Sequence, residues 1–332
     1  MRVFNGTVLL VTLVAFAVLF KGSSAACLDK FALSSVDALV HKQRNAKAIT
    51  FLAKNFNELD DYISIDVIGS NVTELCEGMV KNFPVLESLT LVNANITSIE
   101  SGAFQNVHRL KDLSLAVNRL KHIPRGVFNT VKSLKGIYLS NNQIESIEDA
   151  AFSEMPNLKS IHLAHNKIAT LSGNILFGSP NISLVDFSYN KLTTIKDTSL
   201  DDLQYSTVRN HLKIFLQRNQ IDSVSKYALA KLKVPIKLHL EFNRIINVSD
   251  VITSLREHSS VYLDNNKVQC VSDDVLKFIK WTQISVNINR NPVQCQCVEN
   301  VDKVLNGDVK GELNVITTLP CSLENPFFGN QL

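Results

Sequence analysis

One motif recurs every 24 residues along this chain, and it restricts the possible folds more than any other feature. The clearest copies share the pattern Leu-x-x-Leu/Ile-x-Leu-x-x-Asn-x-Leu/Ile and begin at Leu110, Leu134 and Leu158. The pattern starts less regularly at Tyr62 and continues to Asn291, which makes about ten coils in one phase. Repeats that contact only their neighbours predict a solenoid rather than two globular domains.

Each copy of the motif predicts one short strand. Within it, leucine-type positions alternate with positions that point to the opposite face. One face of the strand then packs in the core, and the other is exposed to solvent. We therefore expect an α/β solenoid, a horseshoe whose parallel sheet lines the concave face and whose two open ends are capped.

Two further columns of the repeat have structural roles. One is an asparagine at the end of the strand, where a side-chain amide satisfies turn backbone groups that each cost about 1–3 kcal/mol if left unpaired. Its members are Asn118, Asn142, Asn166, Asn190, Asn219, Asn243, Asn266 and Asn291. The other column is Phe104, Phe128 and Phe152, which we expect to stack inside the convex side.

The repeat and its C-terminal motif resemble a known group of proteins. Phe104 and Phe128 stand in Gly-Ala-Phe and Gly-Val-Phe, and Asn-Pro-x-x-Cys-x-Cys runs from Asn291 to Cys297. These features resemble the extracellular leucine-rich-repeat proteins of animals, including Toll-type ectodomains, secreted guidance and adhesion proteins, and insect leucine-rich immune proteins. The resemblance implies a ligand-binding leucine-rich-repeat horseshoe. The chain departs from that group at Val293, where an aromatic residue is usual, and in having only Cys321 after the motif.

The first residues predict a secreted protein. Arg2, an apolar run over residues 8–20 and the small residues before Cys27 are typical of a signal peptide, which we place at 1–26. A membrane anchor is the alternative, but this run is shorter than the ~20 residues that span a bilayer. We expect an N-terminal cap at 27–61, the solenoid at 62–291, a C-terminal cap at 292–332, extracellular localisation and no membrane anchor.

In an oxidising compartment the six cysteines are expected to form disulfides. Cys270 and Cys295 share one column of adjacent coils, at a spacing that suits a disulfide. This favours Cys270–Cys295, Cys297–Cys321 and Cys27–Cys76. The arrangement implied by the resemblance is the alternative, with Cys295–Cys321 and with Cys270 and Cys297 left for each other or for a partner chain.

Four sequons support the secretory route. They predict N-glycosylation at Asn71, Asn95, Asn181 and Asn247.

Several function classes find no support. The net charge is +3 and basic residues are scattered among acids, so we expect no nucleic-acid partner. No phosphate-binding loop, nucleophile elbow or zinc-binding helix motif occurs, so we expect no enzyme, no catalytic residue and no cofactor. His162 and Asp186 share a column, but we interpret them as surface polar residues and expect no metal.

The outward-facing strand positions carry the functional signal. Large aromatic and charged residues collect there from the fourth to the ninth coil, and such residues favour binding interfaces. The predicted ligand-binding set is Tyr138, His162, Asp186, Tyr189, Phe215, His239, Phe242 and Tyr262. The alternative is a one-residue slip of the strand phase, which would place Phe215 and Phe242 in the core.

Two functional classes follow for a secreted protein of this kind. The favoured one recognises a protein or a microbial-surface glycan on its concave face, in innate immunity or extracellular signalling. The alternative is a structural component of the extracellular matrix or of cell adhesion, since the fold supports both.

Overall fold

The structure is a computed structural model that describes residues 10–11, 36–42, 62–69, 72–78, 80–81, 83–305 and 310–314. Within these residues thirteen strands form one sheet. In chain order they are β1 (Leu10–Val11), β2 (Val36–Lys42), β3 (Tyr62–Ile68), β4 (Ser88–Val92), β5 (Asp112–Ser114), β6 (Gly136–Tyr138), β7 (Ser160–His162), β8 (Leu184–Asp186), β9 (Leu212–Phe215), β10 (Ile236–His239), β11 (Ser260–Tyr262), β12 (Ser285–Asn287) and β13 (Glu312–Asn314).

The strands from β3 to β13 are parallel and follow one another in chain order, whereas β1 and β2 are antiparallel additions at the first edge. Equivalent repeat positions pair directly, as Leu113, Ile137 and Ile161 do. Ten of the parallel strands fall where the repeats predict them. The eleventh, β13, comes from the C-terminal segment, which carries no repeat pattern. The predicted α/β solenoid with a parallel sheet on its concave face is confirmed.

The core is a continuous column inside the coils. Leucine-type positions are buried throughout, and the stacked phenylalanines form its convex side as predicted. The ring centroids of Phe104 and Phe128 are 6.0 Å apart, and those of Phe128 and Phe152 are 5.6 Å apart with nearly parallel planes. These rings anchor the middle coils to one another.

The return segments of the coils contain little regular structure. Short parallel ladders pair Glu74–Leu75 with Ser98–Ile99, Val80–Lys81 with Phe104–Gln105, His122–Ile123 with Ser146–Ile147, and Thr194–Ile195 with Ser223–Val224. A 3-10 helix covers Asp201–Tyr205, and later coils contain helices α1 (Ser249–Thr253), α2 (Asp273–Trp281) and α3 (Cys295–Leu305). Helix α2 buries Val275, Leu276 and Ile279 against the core. None of the helices in the described ranges is long and apolar enough to cross a membrane.

The asparagine column bonds adjacent coils as predicted. The Asn118 side-chain oxygen accepts the backbone N–H groups of Ala94 and Ile96 at 2.9 and 3.1 Å. Its amide group donates to the carbonyls of Leu91 and Leu115 at 2.7 and 3.0 Å. Equivalent bonds recur along the column as far as Asn291, which donates to the carbonyls of the preceding coil and of its own. Each asparagine therefore ties its turn to the coil before it.

The predicted disulfide pairing at the C-terminal end is wrong. Cys270 bonds Cys297, with Cα atoms 5.5 Å apart, which excludes both Cys270–Cys295 and Cys297–Cys321. The prediction assumed that the coil geometry continues through Cys297, but helix α3 begins at Cys295. Two residues apart on a helix lie about 200° apart around its axis, so these cysteines point to opposite sides. Cys297 faces the core and reaches Cys270.

Other predictions about the ends of the chain fall largely beyond the described ranges. Cys76 and Cys295 are disulfide-bonded, whereas Cys27 and Cys321 lie outside the described residues. Cys27–Cys76 remains a prediction, and Cys295–Cys321 becomes the expected second bond. The boundaries of the signal peptide and of both caps also remain predictions.

Candidate ligand-binding face

The outward residue between the second and third leucine-type positions of each repeat motif forms one column along the concave face, and it is the last residue of each strand from β6 to β11. From β6 to β11 this strand-centre column consists of Tyr138, His162, Asp186, Phe215, His239 and Tyr262, which are paired in register. At Phe215 the neighbours Ile214 and Leu216 are buried at 0% and 1% exposure, while Phe215 itself is half-buried. The strand phase is therefore maintained, and the alternative of a one-residue slip is wrong.

Most residues of the strand-centre column stack on one another. The rings of Tyr138 and His162 are 4.8 Å apart and nearly parallel. Those of Phe215 and His239 are 4.6 Å apart, and those of His239 and Tyr262 are 4.5 Å apart. Because adjacent strands are spaced ~4.8 Å apart, side chains in register are held at stacking distance without adjustment of the backbone. We call this set the strand-centre ladder.

A second column lies beside the first, at the residue that precedes each core asparagine. Its members have left-handed backbone conformations, with φ between 55° and 58°. They are Val117, Asn141, His165, Tyr189, Arg218, Phe242, Asn265 and Arg290. Asparagine adopts this conformation readily, whereas bulky side chains seldom do. The middle of the column therefore departs from the residue types that the backbone favours.

These bulky residues form a second ladder. His165 and Tyr189 stack with ring centroids 3.9 Å apart. The guanidinium of Arg218 lies 5.3 Å from the ring of Tyr189 and 4.0 Å from that of Phe242. We call His165, Tyr189, Arg218 and Phe242 the turn ladder. His165 and Arg218 were absent from the predicted set, although their position before the core asparagine marks them.

The turn ladder is open to solvent. Tyr189 and Phe242 are each 41% exposed, and His165 and Arg218 are also exposed. Residues held in strained backbone conformations cost about 1–3 kcal/mol and concentrate at functional sites. Large rings at strained, exposed positions contribute little to the core. Their arrangement therefore favours an interaction role.

Polar groups hold the ladders in place. The Nδ1 atom of His239 lies 3.0 Å from the Oε1 atom of Glu241. The Asp186 carboxylate accepts the backbone N–H of Ser188 at 2.9 Å. Burial lowers the pKa of His162, and the carboxylate of Asp186 partly offsets this effect. His162 is therefore uncharged at neutral pH.

Tyr138 begins the strand-centre ladder because a glycine leaves room for it. A Cβ atom on Gly136 would lie 3.0 Å from both the hydroxyl oxygen and the Cε2 atom of Tyr138. The tyrosine ring thus leans back over its own strand. Gly136 positions the ring and contributes no contact of its own to a ligand.

No group of three or more histidine, cysteine or carboxylate side chains in the described residues is arranged to hold a metal ion. The chemical resources of the concave face are rings, guanidinium groups and single carboxylates. Such a set suits recognition by stacking and ion pairing.

Comparison with a family model decides the identity of the repeats. A leucine-rich-repeat model matches residues 84–144, 108–168 and 156–207. Residues 84–207 are therefore leucine-rich repeats. No curated protein matches it in sequence.

Solved structures of larger proteins show the same fold as this chain. In the mouse RP105/MD-1 complex the match has 21% identity, a TM-score of 0.57, and covers 73% of this chain and 40% of the other. The match to the Drosophila Toll–Spatzle complex has 18% identity and a TM-score of 0.60, and it covers 71% of this chain and 32% of the other. The match to the TLR13–ssRNA13 complex has 22% identity and a TM-score of 0.53, and it covers 63% of this chain and 30% of the other.

This chain spans less than half the length of each of those chains. At such identities the likeness shows the fold alone.

Proposed function

We propose that this leucine-rich-repeat protein is a secreted recognition protein that binds a protein ligand through the two ladders on its concave face. The observation that carries the proposal is the turn ladder. Its large side chains occupy left-handed positions that favour glycine or asparagine, and they remain exposed. Folding alone gives no reason to place tyrosine, arginine and phenylalanine there.

The dimensions of the ladders suit a protein interface. Tyr138 and Tyr262 are separated by five strand spacings, which is about 24 Å. A standard interface buries about 800 Å² on each partner, and tyrosine, tryptophan and arginine dominate its energetics. The stacked rings are also restrained before binding, which reduces the entropy lost when a ligand docks.

The charges on the face favour a protein over a nucleic acid. The face carries both signs of charge, since Asp186, Glu241 and Asp264 lie beside Lys213, Lys237 and Arg218. Such a mixture matches the mixed charges of a protein surface better than the uniform negative charge of a nucleic acid. Two of the similar structures are complexes with the proteins MD-1 and Spatzle, and the third is a complex with an RNA. We therefore test single-stranded RNA as the competing outcome.

Secretion and a role in innate immunity complete the proposal. The predicted signal peptide and sequons support the secretory route, and Asn181 and Asn247 are exposed. Asn95 is half-buried and Asn71 lies outside the described residues, so glycosylation at these four sites stays a prediction. A matrix role of the proteoglycan type is less favoured because the Ser-Gly dipeptides at Ser101 and Ser172 both lie inside repeats.

The test compares variants of the secreted full-length chain as bait. Tyr189→Asn combined with Phe242→Asn removes two turn-ladder rings while suiting the left-handed backbone. Phe177→Ala combined with Tyr227→Ala removes two rings that are each 56% exposed but lie outside the concave sheet. Proteins captured from extracellular fluid are identified by mass spectrometry, and labelled single-stranded RNA is titrated in parallel.

We expect a specific protein to be lost with the ladder variant and retained with the control variant. Capture that survives in the ladder variant, or RNA binding that the ladder variant abolishes, would contradict the proposal.

A further inference from the structure

The strand-centre ladder lacks one ring. Tyr138 and His162 form one stack, and Phe215, His239 and Tyr262 form another. Between them stands Asp186, which pairs in register with His162 on one side and with Phe215 on the other. A regular stack of rings is thus interrupted by one carboxylate.

The interruption has the dimensions of one planar group. His162 and Phe215 are two strand spacings apart, which is about 9.6 Å. An aspartate side chain ends closer to the sheet than a ring does, so its carboxylate forms the floor of a gap between the two rings. A flat group placed midway would lie about 4.8 Å from each ring, within the range of aromatic stacking.

The surroundings of the gap favour a cation. The carboxylate accepts one hydrogen bond, from the backbone N–H of Ser188, and no other residue in the described ranges donates to it or forms an ion pair with it. His162 is uncharged at neutral pH because burial lowers its pKa, so it does not repel a cation. Leu184, in the same strand, is half-buried and adds an apolar wall. Aromatic faces around a carboxylate are a general means of recognising cations.

The nearest basic side chains of the chain itself are engaged elsewhere or point to solvent. Arg218 lies between the rings of Tyr189 and Phe242. Lys213 pairs in register with Leu184 and is exposed. Neither forms an ion pair with Asp186 among the described contacts. A cation for the gap must therefore come from a ligand.

We propose that the gap at Asp186 binds an arginine side chain of the protein ligand, with the guanidinium stacked between His162 and Phe215 and paired with the carboxylate. Arginine fits better than lysine because its guanidinium is planar and donates in a fork that matches a carboxylate. Arg218 shows the same stacking within the chain, 4.0 Å from the ring of Phe242. This inference rests on the proposed function, since it names the chemistry that the ligand presents.

The probe is the capped peptide acetyl-Gly-Arg-Gly-amide, titrated into the full-length secreted chain carrying ¹³C-labelled histidine. The ring signal of His162, assigned with His162→Gln, reports occupancy. The citrulline peptide is the neutral isostere of the probe, and the lysine peptide tests the need for a planar group. We expect saturable shifts at His162 with arginine, and at least tenfold weaker binding with citrulline.

Two variants and one control test the assignment to Asp186. Asp186→Ser keeps an acceptor for the Ser188 N–H but loses the charge, and it creates no glycosylation sequon, whereas Asp186→Phe fills the gap with the missing ring. Asp66→Ser removes a carboxylate from the same column where the next strand carries Thr90 instead of a ring. We expect at least a tenfold loss with both Asp186 variants and none with Asp66→Ser, with thermal unfolding confirming that all three fold.

Equal binding of the arginine and citrulline peptides, or unchanged binding to Asp186→Ser, would overturn the inference. So would the absence of any saturable shift at His162. The proposed function is judged separately by capture with the turn-ladder variant. If the turn-ladder variant no longer captures its protein ligand, while the affinity of the arginine peptide is unchanged in the Asp186 variants, the inference fails and the proposed function stands.

Discussion

The guanidinium of Arg218 lies 4.0 Å from the ring centroid of Phe242, although both residues are held in a left-handed backbone conformation. Their coils are adjacent in the solenoid, so the repeat brings the two side chains face to face. The contact joins two exposed side chains whose backbone conformation is strained. Folding and binding therefore place different requirements on these two residues.

Phe242→Asn should separate these two requirements. Asparagine suits the left-handed conformation, so we expect the free energy of unfolding to equal that of the wild type or exceed it by up to about 1 kcal/mol. Ligand binding should weaken because the ring is lost. Urea unfolding and a binding titration measure the two effects; a clear loss of stability would show that Phe242 supports the fold.

Phe215→Ala and Tyr262→Ala should leave the solenoid folded while weakening binding at least ~30-fold, as expected for central aromatic anchors. Phe128→Ala provides the buried comparison, because its ring is 0% exposed and such truncations cost about 3–5 kcal/mol. Thermal unfolding distinguishes them. Equal destabilisation by Phe215→Ala and Phe128→Ala would contradict the outward placement of Phe215.

Gly136→Ala should displace Tyr138 without unfolding the chain. The new Cβ atom would lie 2.8 Å from the Oδ1 atom of Asp112 and 3.0 Å from the tyrosine hydroxyl, so the ends of both side chains must move. We expect weaker ligand binding with an unchanged melting temperature. Ser160→Ala, at the paired position in β7, is the control and should bind normally.

Acidification should destabilise the chain partly through His162, whose pKa is lowered from 6.5 by burial. As the pH falls, the unfolded chain takes up this proton first, so stability is lost from the unfolded pKa down to the lower folded one. We expect His162→Gln to lose less stability than the wild type between about pH 7.5 and about pH 5.5. Urea midpoints at both pH values measure this, and identical losses would count against a buried neutral imidazole.

Peptide mapping of the unreduced protein should recover Cys270 linked to Cys297. We also expect a peptide that joins Cys295 to Cys321 and another that joins Cys27 to Cys76. Digestion at low pH limits exchange between the bonds. A Cys270–Cys295 peptide would mean that the helix at Cys295 does not form in solution.

The 24-residue repeat was sufficient to predict the sheet and the direction of its side chains. A strand alternates between two faces, so the buried leucines also place Phe215 outward and Tyr138 in register with His162. The role of the core asparagines was equally predictable, since every turn repeats the same unpaired backbone groups. None of these predictions required contacts specific to one coil.

The tertiary structure alone decided features that break or cross the repeat. Strand β13 joins the sheet from a segment without the motif, and the start of helix α3 turns Cys297, not Cys295, toward Cys270. The stacking of Tyr189, Arg218 and Phe242 depends on how side chains from separate coils orient toward one another. The repeat by itself determined the position of each side chain on its strand and the face to which it points, because strand geometry is periodic. What each exposed side chain touches depended on neighbours 24 or more residues away, whose packing no local pattern encodes.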